Sequence, residues 1–217
     1  MNLTNKRIAF LGDSITEGVG VSSSDKKYVK VFKNLTGCQA FNYGISGTRI
    51  ARQKGKYGLD EKFDYCFLDR VDTMIYDADI IVVFGGTNDF GHGDAELGSI
   101  DSRDEFTFYG ALHSLANRLI ARYPDALIVF MTPLHRTTEN DLVNEVGLPR
   151  KALISYVTAI RQVCEYYSFP VLDLYANSGM QPNVPTIREH FMPDGLHPSD
   201  SGAVRIAERL AAFLEKT

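Results

Sequence analysis

The sequence lacks the features that mark several classes of protein. Its 217 residues include only three cysteines, Cys38, Cys66 and Cys164, whose scattered spacing matches no metal site and indicates reduced, packed thiols. No apolar run approaches the length of a membrane span. A net charge of −4 and the absence of a long basic stripe argue against a nucleic-acid partner. No apolar leader segment precedes the first apolar strand pattern, which favours a cytoplasmic location.

The chain nevertheless has ample material for a core. Apolar residues make up 44% of the sequence and aromatic residues 11%. A chain of this length usually forms one domain of above-average size. Because no internal repeat, low-complexity tract or linker interrupts it, we expect one domain over residues 1–217.

Short apolar segments alternate with helical patterns along the chain. The strongest of them, residues 79–84, has five apolar residues in a row, which is typical of a strand buried on both faces in the centre of a parallel sheet. The alternation predicts an α/β sandwich with a five-stranded parallel sheet. The predicted strands cover residues 8–11, 38–43, 79–84, 126–131 and 170–174.

Apolar residues at helical spacing predict helices between these strands. The first has Leu35 on its apolar face and Gly37 as its stop. A long helical stripe that begins at Phe108 includes Ile120. Pro149 and Pro198 suit the first turns of the last two helices. A short helix is predicted over residues 68–76, and surface loops over 49–66, 90–103, 136–148 and 176–193.

Polar residues and glycines follow several of the predicted strands. Ser14, Gly47 and Asn88 each lie beyond an apolar run. Since the carboxyl ends of parallel strands meet at one edge of the sheet, these three residues should converge there. Asp194 and His197 come just before the last helix, from which they could reach the same edge.

Together these residues are the groups that ester hydrolysis needs. The hydroxyl of Ser14 becomes a nucleophile when a base takes its proton, and His197 is the candidate base. Asp194, three residues earlier, would hold the imidazole in the required tautomer. The backbone N–H groups of Ser14 and Gly47 and the side-chain amide of Asn88 would stabilise the oxyanion.

Other interpretations of the first strand-end loop depend on motifs that are missing. The chain has no G-x-S-x-G elbow, since residues 44–48 read Gly-Ile-Ser-Gly-Thr, so it is not a usual α/β-hydrolase. A non-catalytic protein that binds a phosphate or nucleotide there is the alternative from another class. The absence of G-x-G-x-x-G and of the phosphate-binding loop motif counts against it.

Four segments resemble conserved blocks of the SGNH (GDSL-type) hydrolase family. Residues 12–18, Gly-Asp-Ser-Ile-Thr-Glu-Gly, resemble its first block, and residues 42–47, 86–89 and 194–198 resemble the second, third and fifth, in the same order. The four blocks together extend over essentially the whole chain. The first has Ser-Ile where the family name has Ser-Leu. Arg49 stands where many relatives carry an acid, which leaves open how the second block is braced.

The resemblance implies a flavodoxin-like three-layer α/β/α sandwich and a serine esterase that needs neither metal nor cofactor. It also implies small-molecule or saccharide esters as substrates. Because no long apolar lid helix is evident, short acyl groups are favoured, with carbohydrate O-acetyl esters as candidates. An acyltransferase, a lysophospholipase or a thioesterase with the same triad stays open, as does the oligomeric state.

Several other polar residues have simpler explanations. Asp13 and Asp89 are expected to brace loops through hydrogen bonds. Asp89, His92 and Asp94 match no strong metal-ligand spacing and are interpreted as a polar loop. His113 is expected to be structural.

Some positions keep two interpretations. The basic residues at 49–56, beginning with Arg49, are taken as a solvated loop. His135 and His190 could contact the pocket or lie on the surface. Phe191 and Met192 could wall an acyl pocket or pack in the core.

Overall fold

A five-stranded sheet forms the centre of the computed structural model, which describes residues 1–217. Its strand order is β2-β1-β3-β4-β5, and every neighbouring pair is parallel. The prediction of a parallel five-stranded sheet is therefore confirmed. The strands are β1 (Arg7–Gly12), β2 (Gln39–Gly44), β3 (Ile80–Phe84), β4 (Leu127–Met131) and β5 (Val171–Leu172).

Helices cover both faces of this sheet. Buried residues of α2 and α9 pack against one face, and buried residues of α3, α5 and α6 pack against the other. None of the helices combines the length and the apolar character needed to cross a bilayer. The helices are α1 (Ser14–Glu17), α2 (Tyr28–Thr36), α3 (Phe67–Arg70), α4 (Thr87–His92), α5 (Phe108–Arg122), α6 (Leu153–Tyr166), α7 (Leu174–Asn177), α8 (Pro185–Phe191) and α9 (Asp200–Lys216).

Strand β1 shows how the core is divided between the two layers. Successive side chains of a strand point to opposite faces. Ile8 and Phe10 pack in the layer with α2 and α9, whereas Ala9 and Leu11 pack in the layer with α3, α5 and α6. All four are fully buried, which explains why the central strands are uninterrupted apolar runs. The architecture is the predicted three-layer, flavodoxin-like α/β/α sandwich.

The register of the sheet brings three strand ends to the same level. Gly12, the last residue of β1, pairs with Gly44 at the end of β2 and with Phe84 at the end of β3. The segments that follow these strands therefore leave the sheet side by side. Ser14, Gly47 and Asn88 lie in these segments.

Several predicted helix boundaries differ from the structure. The helix predicted over residues 68–76 is the short α3 followed by a 3₁₀ turn over Val71–Thr73. The hydroxyl of Thr73 donates to the carbonyl of Arg70, and such local side-chain bonds compete with continued α-helix. Helix α6 begins at Leu153, because Pro149 instead forms a bridge with Val143.

Two errors concern prolines in the C-terminal part of the chain. The segment 176–193 was predicted as a loop, but Pro185 opens α8 there, at the first-turn position that proline favours. Pro198 does not open α9. The hydroxyl of Ser199 caps this helix by accepting from the Gly202 N–H, and the helical residues begin at Asp200.

Two residues predicted on buried helix faces are exposed. Leu35 on α2 is 55% exposed, and Ile120 on α5 is 38% exposed. Leu35 lies beyond the last buried residue of α2, so helical spacing overestimated how far that stripe extends. Ile120 lies at the side of the α5 stripe, which continues through the buried Leu119 and Tyr123. The stop of α2 at Gly37 is correct, because this glycine adopts a positive φ of 70° and caps the helix.

Truncating Phe10 tests the layer between the sheet and α2. The ring of Phe10 is fully buried and meets the rings of Tyr28 and Phe32 edge-on, with centroids at 6.0 and 5.6 Å. We expect Phe10→Ala to lower the free energy of unfolding by about 3–5 kcal/mol, measured by urea denaturation. Phe41→Ala, at a half-buried position on edge strand β2, is the matched control and should cost clearly less; equal losses would contradict this account of the core.

Candidate active site

Ser14 begins the short helix that follows β1. The side chain of Asp13 caps this helix by accepting a hydrogen bond from the Ile15 N–H at 3.0 Å, and Gly18 ends it with a left-handed conformation. This turn directs Ser14 towards the loop before α9. Its hydroxyl Oγ lies 3.0 Å from Nε2 of His197, although 183 residues separate them in the chain.

A tight turn holds His197 and Asp194 in fixed relative positions. Asp194 Oδ2 lies 2.7 Å from His197 Nδ1, while Oδ1 accepts from the backbone N–H groups of Leu196 and His197. Gly195 adopts a φ of +81° within this turn. Burial opposes ionisation of Asp194, but the hydrogen bonds from His197 and Leu196 outweigh it and lower the pKa of this carboxyl.

Three hydrogen-bond donors lie at the same edge of the sheet. The backbone N–H groups of Ser14 and Gly47 donate to no protein acceptor. The side-chain Nδ2 of Asn88 donates one hydrogen to the carbonyl oxygen of Thr48 at 3.0 Å, which fixes the amide and leaves its second hydrogen unpaired. The structure thus brings together all five residues that the sequence analysis selected.

A buried arginine that the sequence analysis missed braces these loops. The guanidinium of Arg70 donates to the carbonyl oxygens of Gly12 at 3.0 Å and Tyr43 at 2.7 Å. It also donates to the hydroxyl of Thr48 at 2.9 Å. The three acceptors flank Ser14 and Gly47, so one side chain ties the first strand-end loop to the second. Arg70 therefore answers how the second block is braced without an acid at position 49.

Two buried aspartates complete the bracing, as predicted. Both oxygens of Asp89 accept backbone hydrogen bonds, from Ile50 at 3.0 Å and Ala51 at 2.9 Å. Burial raises the pKa of Asp89 to about 6 against these bonds. Burial likewise raises the pKa of Asp13 to about 7, although the Ile15 N–H and the charge of Arg70 favour its ionised form.

Asp89, His92 and Asp94 each have partners within the protein. The carboxylate of Asp94 accepts from the backbone N–H groups of Lys54 and Gly55, and Asp89 binds other backbone groups. The side chain of His92 lies beside Arg49. No group of three or more histidine, cysteine, aspartate or glutamate side chains is arranged to hold a metal ion.

The structure distinguishes between the two interpretations of Arg49, His190, Phe191 and Met192. Arg49 is not part of a solvated loop: its side chain is buried and paired with Asp64. Met192 and Phe191 pack in the core layer that contains α2 and α9, which favours core packing over an acyl wall. His190 is exposed on α8.

Two further histidines have hydrogen-bond partners other than the residues of the candidate triad. His113 is fully buried, with Nε2 2.9 Å from the carbonyl oxygen of Ile100, as expected for a structural residue. His135 is half-buried, and its Nδ1 lies 2.6 Å from a carboxylate oxygen of Glu139. Neither ring contacts Ser14 or His197.

Comparison with known proteins agrees with this geometry. The profile of the GDSL-like lipase/acylhydrolase family matches residues 10–205, most of the chain. The chain belongs to this family. The family name describes enzymes that act on lipids and acyl groups. The matched range includes all five residues of the candidate site.

Individual proteins resemble this chain over nearly its whole length. A solved structure from Lactobacillus plantarum is 31% identical, covers 98% of both chains and has a TM-score of 0.83. Another crystal structure is 38% identical, covers 100% of this chain and 99% of the other, and has a TM-score of 0.85. An acetylxylan esterase from Xylanibacter ruminicola is 25% identical over 229 residues, 96% of this chain but 43% of the enzyme. The chain therefore spans less than half the length of this curated relative.

Removing the guanidinium of Arg70 tests its bracing role. In Arg70→Leu the carbonyl oxygens of Gly12 and Tyr43 and the hydroxyl of Thr48 lose their bonds from a charged donor. The Gly12 carbonyl keeps its bond from the Ile45 N–H, but each hydrogen bond from a charged group is worth about 1.5–3 kcal/mol. We therefore expect a loss of about 3 kcal/mol or more in the free energy of unfolding, measured by chemical denaturation. Arg122→Leu is the matched control, since its partly exposed guanidinium bonds the carbonyl of Met74; a loss no larger than this control would refute the role of Arg70.

Proposed function

We propose that the protein is a carboxylic ester hydrolase with Ser14 as nucleophile, His197 as general base and Asp194 as the residue that orients the base. The observation that carries this proposal is the continuous chain of contacts, 3.0 Å from Ser14 Oγ to His197 Nε2 and 2.7 Å from His197 Nδ1 to Asp194 Oδ2. Membership in the GDSL-like lipase/acylhydrolase family supports it. We also propose that residues 1–217 form one hydrolase domain, as the single sheet suggests.

In the first half of the reaction, His197 Nε2 accepts the proton of Ser14 while Oγ attacks the ester carbonyl carbon. The Nδ1–H of His197 donates to Asp194, whose negative charge stabilises the imidazolium that forms. His197 then gives the proton to the oxygen of the departing alcohol, and the acyl group remains on Ser14. The low pKa of Asp194 keeps this carboxylate ionised throughout.

The negative oxygen of the tetrahedral intermediate needs donors that are already in position. The free N–H groups of Ser14 and Gly47 and the second amide hydrogen of Asn88 serve as these donors in the proposal. The bond from Asn88 to Thr48 fixes the amide before substrate binds. Losing one such donor typically costs about 3 kcal/mol of transition-state stabilisation.

In the second half of the reaction, water replaces the alcohol. His197 takes a proton from a water molecule, the hydroxide attacks the acyl carbon, and the same donors stabilise the second tetrahedral intermediate. Ser14 leaves with the proton returned by His197. The carboxylic acid is released, and no metal or cofactor takes part in these steps.

We further propose that the substrates are esters of short acyl groups, with carbohydrate O-acetyl esters as the favoured class. The name of the acetylxylan esterase relative supports this class. The ring of Phe63 supports it independently, because it packs so closely on Gly47 that a Cβ added there would lie 2.0 Å from the ring. This ring leaves little room for a long alkyl chain beside the Gly47 donor.

Substituting the nucleophile tests the reaction. We expect Ser14→Ala to lower kcat on p-nitrophenyl acetate by about 10⁴-fold or more, because the acyl-enzyme cannot form. Asp194→Asn should lower kcat by about 10⁴-fold, because the amide leaves the imidazole in the wrong tautomer. Initial rates of p-nitrophenolate release measure both effects. Ser155→Ala on α6 is the control and should keep wild-type activity; full activity in Ser14→Ala would overturn the mechanism.

The chain-length preference tests the role of Phe63. Initial rates across p-nitrophenyl esters from acetyl to dodecanoyl should be highest for the shortest chains in the wild-type protein. Phe63→Ala should raise the relative rate on esters of six carbons and longer, since the space beside Gly47 opens. Tyr65→Ala, at an exposed position in the same segment, should keep the wild-type profile. An unchanged profile in Phe63→Ala would show that this ring does not limit the acyl group.

A further inference from the structure

The reaction described above leaves one buried histidine near the site without a role. His92 is the last residue of α4, one helical turn after Asn88. Its side chain is only 7% exposed. Nδ1 lies 3.4 Å from Nη1 of Arg49. Nε2 has no hydrogen-bond partner in the protein and keeps some exposure to solvent.

Arg49 determines which ring nitrogen of His92 carries the proton. A guanidinium can only donate, so the nitrogen facing it must act as the acceptor. Burial and the positive charge of Arg49 lower the pKa of His92 to about 4, which keeps the ring neutral at physiological pH. In a neutral ring with Nδ1 as acceptor, the proton is on Nε2. His92 therefore presents an unpaired N–H donor.

The ring of Phe63 connects this donor to the oxyanion site. Phe63 stacks on the imidazole of His92, with centroids 5.2 Å apart and planes inclined by 28°. The edge of the same phenyl ring lies against Gly47. On the helix side, Asn88 and His92 occupy the same face of α4, four residues apart. His92 thus shares the neighbour Phe63 with the Gly47 donor and lies one helical turn beyond the Asn88 donor.

The chemistry of short esters restricts what this donor can meet. An acetyl group has one hydrogen-bond acceptor, its carbonyl oxygen, which Ser14, Gly47 and Asn88 already serve. Its methyl group accepts nothing, and an alkyl chain placed against His92 would leave the N–H buried and unpaired, which is unfavourable. A hydroxyl or ring oxygen in the alcohol half of the substrate would satisfy it.

We propose that the Nε2–H of His92 donates a hydrogen bond to an oxygen of the alcohol moiety, and that the enzyme thereby selects acetyl esters of polyhydroxylated alcohols such as sugars. The inference rests on the proposed hydrolase function and adds a specificity-determining residue to it. Arg49 is the positioning residue that keeps this nitrogen protonated, and Phe63 holds the imidazole ring in place.

A matched pair of esters separates this contact from the reaction itself. The probes are mono-O-acetyl methyl xyloside and cyclohexyl acetate, which present a six-membered ring with and without oxygens, and acetate release gives kcat/KM for each. In His92→Phe the ratio of the two values should fall about tenfold, the effect of losing one hydrogen bond, while the value for cyclohexyl acetate stays within about twofold. His92→Gln keeps a side-chain N–H and should retain much of the ratio.

The controls keep the outcomes distinct. His190→Phe replaces an exposed histidine on α8 and should leave the ratio unchanged. Thermal melting followed by circular dichroism checks folding, and His92→Leu serves as a second variant without a donor if His92→Phe does not fold. An unchanged ratio in the donor-less variants, or an equal loss on both esters, overturns the inference while the hydrolase stands. A wild-type protein that cleaves neither ester overturns both.

Discussion

The buried guanidinium of Arg70 is the interaction on which the geometry of the sheet edge depends. It joins the carbonyl oxygens of Gly12 and Tyr43 to the hydroxyl of Thr48, three groups from two different strand-end segments. No carboxylate forms a close ion pair with it. Burial lowers the pKa of Arg70 to about 10, so the side chain stays charged at neutral pH, and its charge favours ionisation of the nearby Asp13.

The fold was predictable from the sequence to the extent that local patterns determine it. Strand β3 was identified from its five consecutive apolar residues, because a strand buried on both faces is made almost entirely of apolar residues. Helix ends were less predictable, since a proline such as Pro149 or Pro185 is compatible with a bridge, a loop or a first helical turn. Tertiary contacts decide which of these three structures forms, and such contacts cannot be inferred from the residues next to the proline in the sequence.

The residues of the candidate site also differ in how far the sequence predicts them. Asp194 and His197 were selected together because a three-residue spacing lets one turn hold them, and Ser14 because a strand ends just before it. Arg70 was not selected, since its partners are two backbone carbonyls and one hydroxyl remote in the chain, which no sequence motif indicates. Arg49 was misinterpreted for a related reason: it belongs to a basic segment, yet its guanidinium is buried against Asp64.

This division has a physical consequence for the site. Asp194 and His197 depend on a local turn, in which Asp194 accepts hydrogen bonds from the imidazole and from two backbone N–H groups. The proposed oxyanion donors depend instead on contacts between distant segments, from Arg70 to Thr48 and from Thr48 to Asn88. A perturbation of the core beneath β1 and β2 would therefore displace the donors before it separates Asp194 from His197. Transition-state stabilisation is in this way coupled to the stability of the sheet, while the contact between Asp194 and His197 is comparatively independent of it.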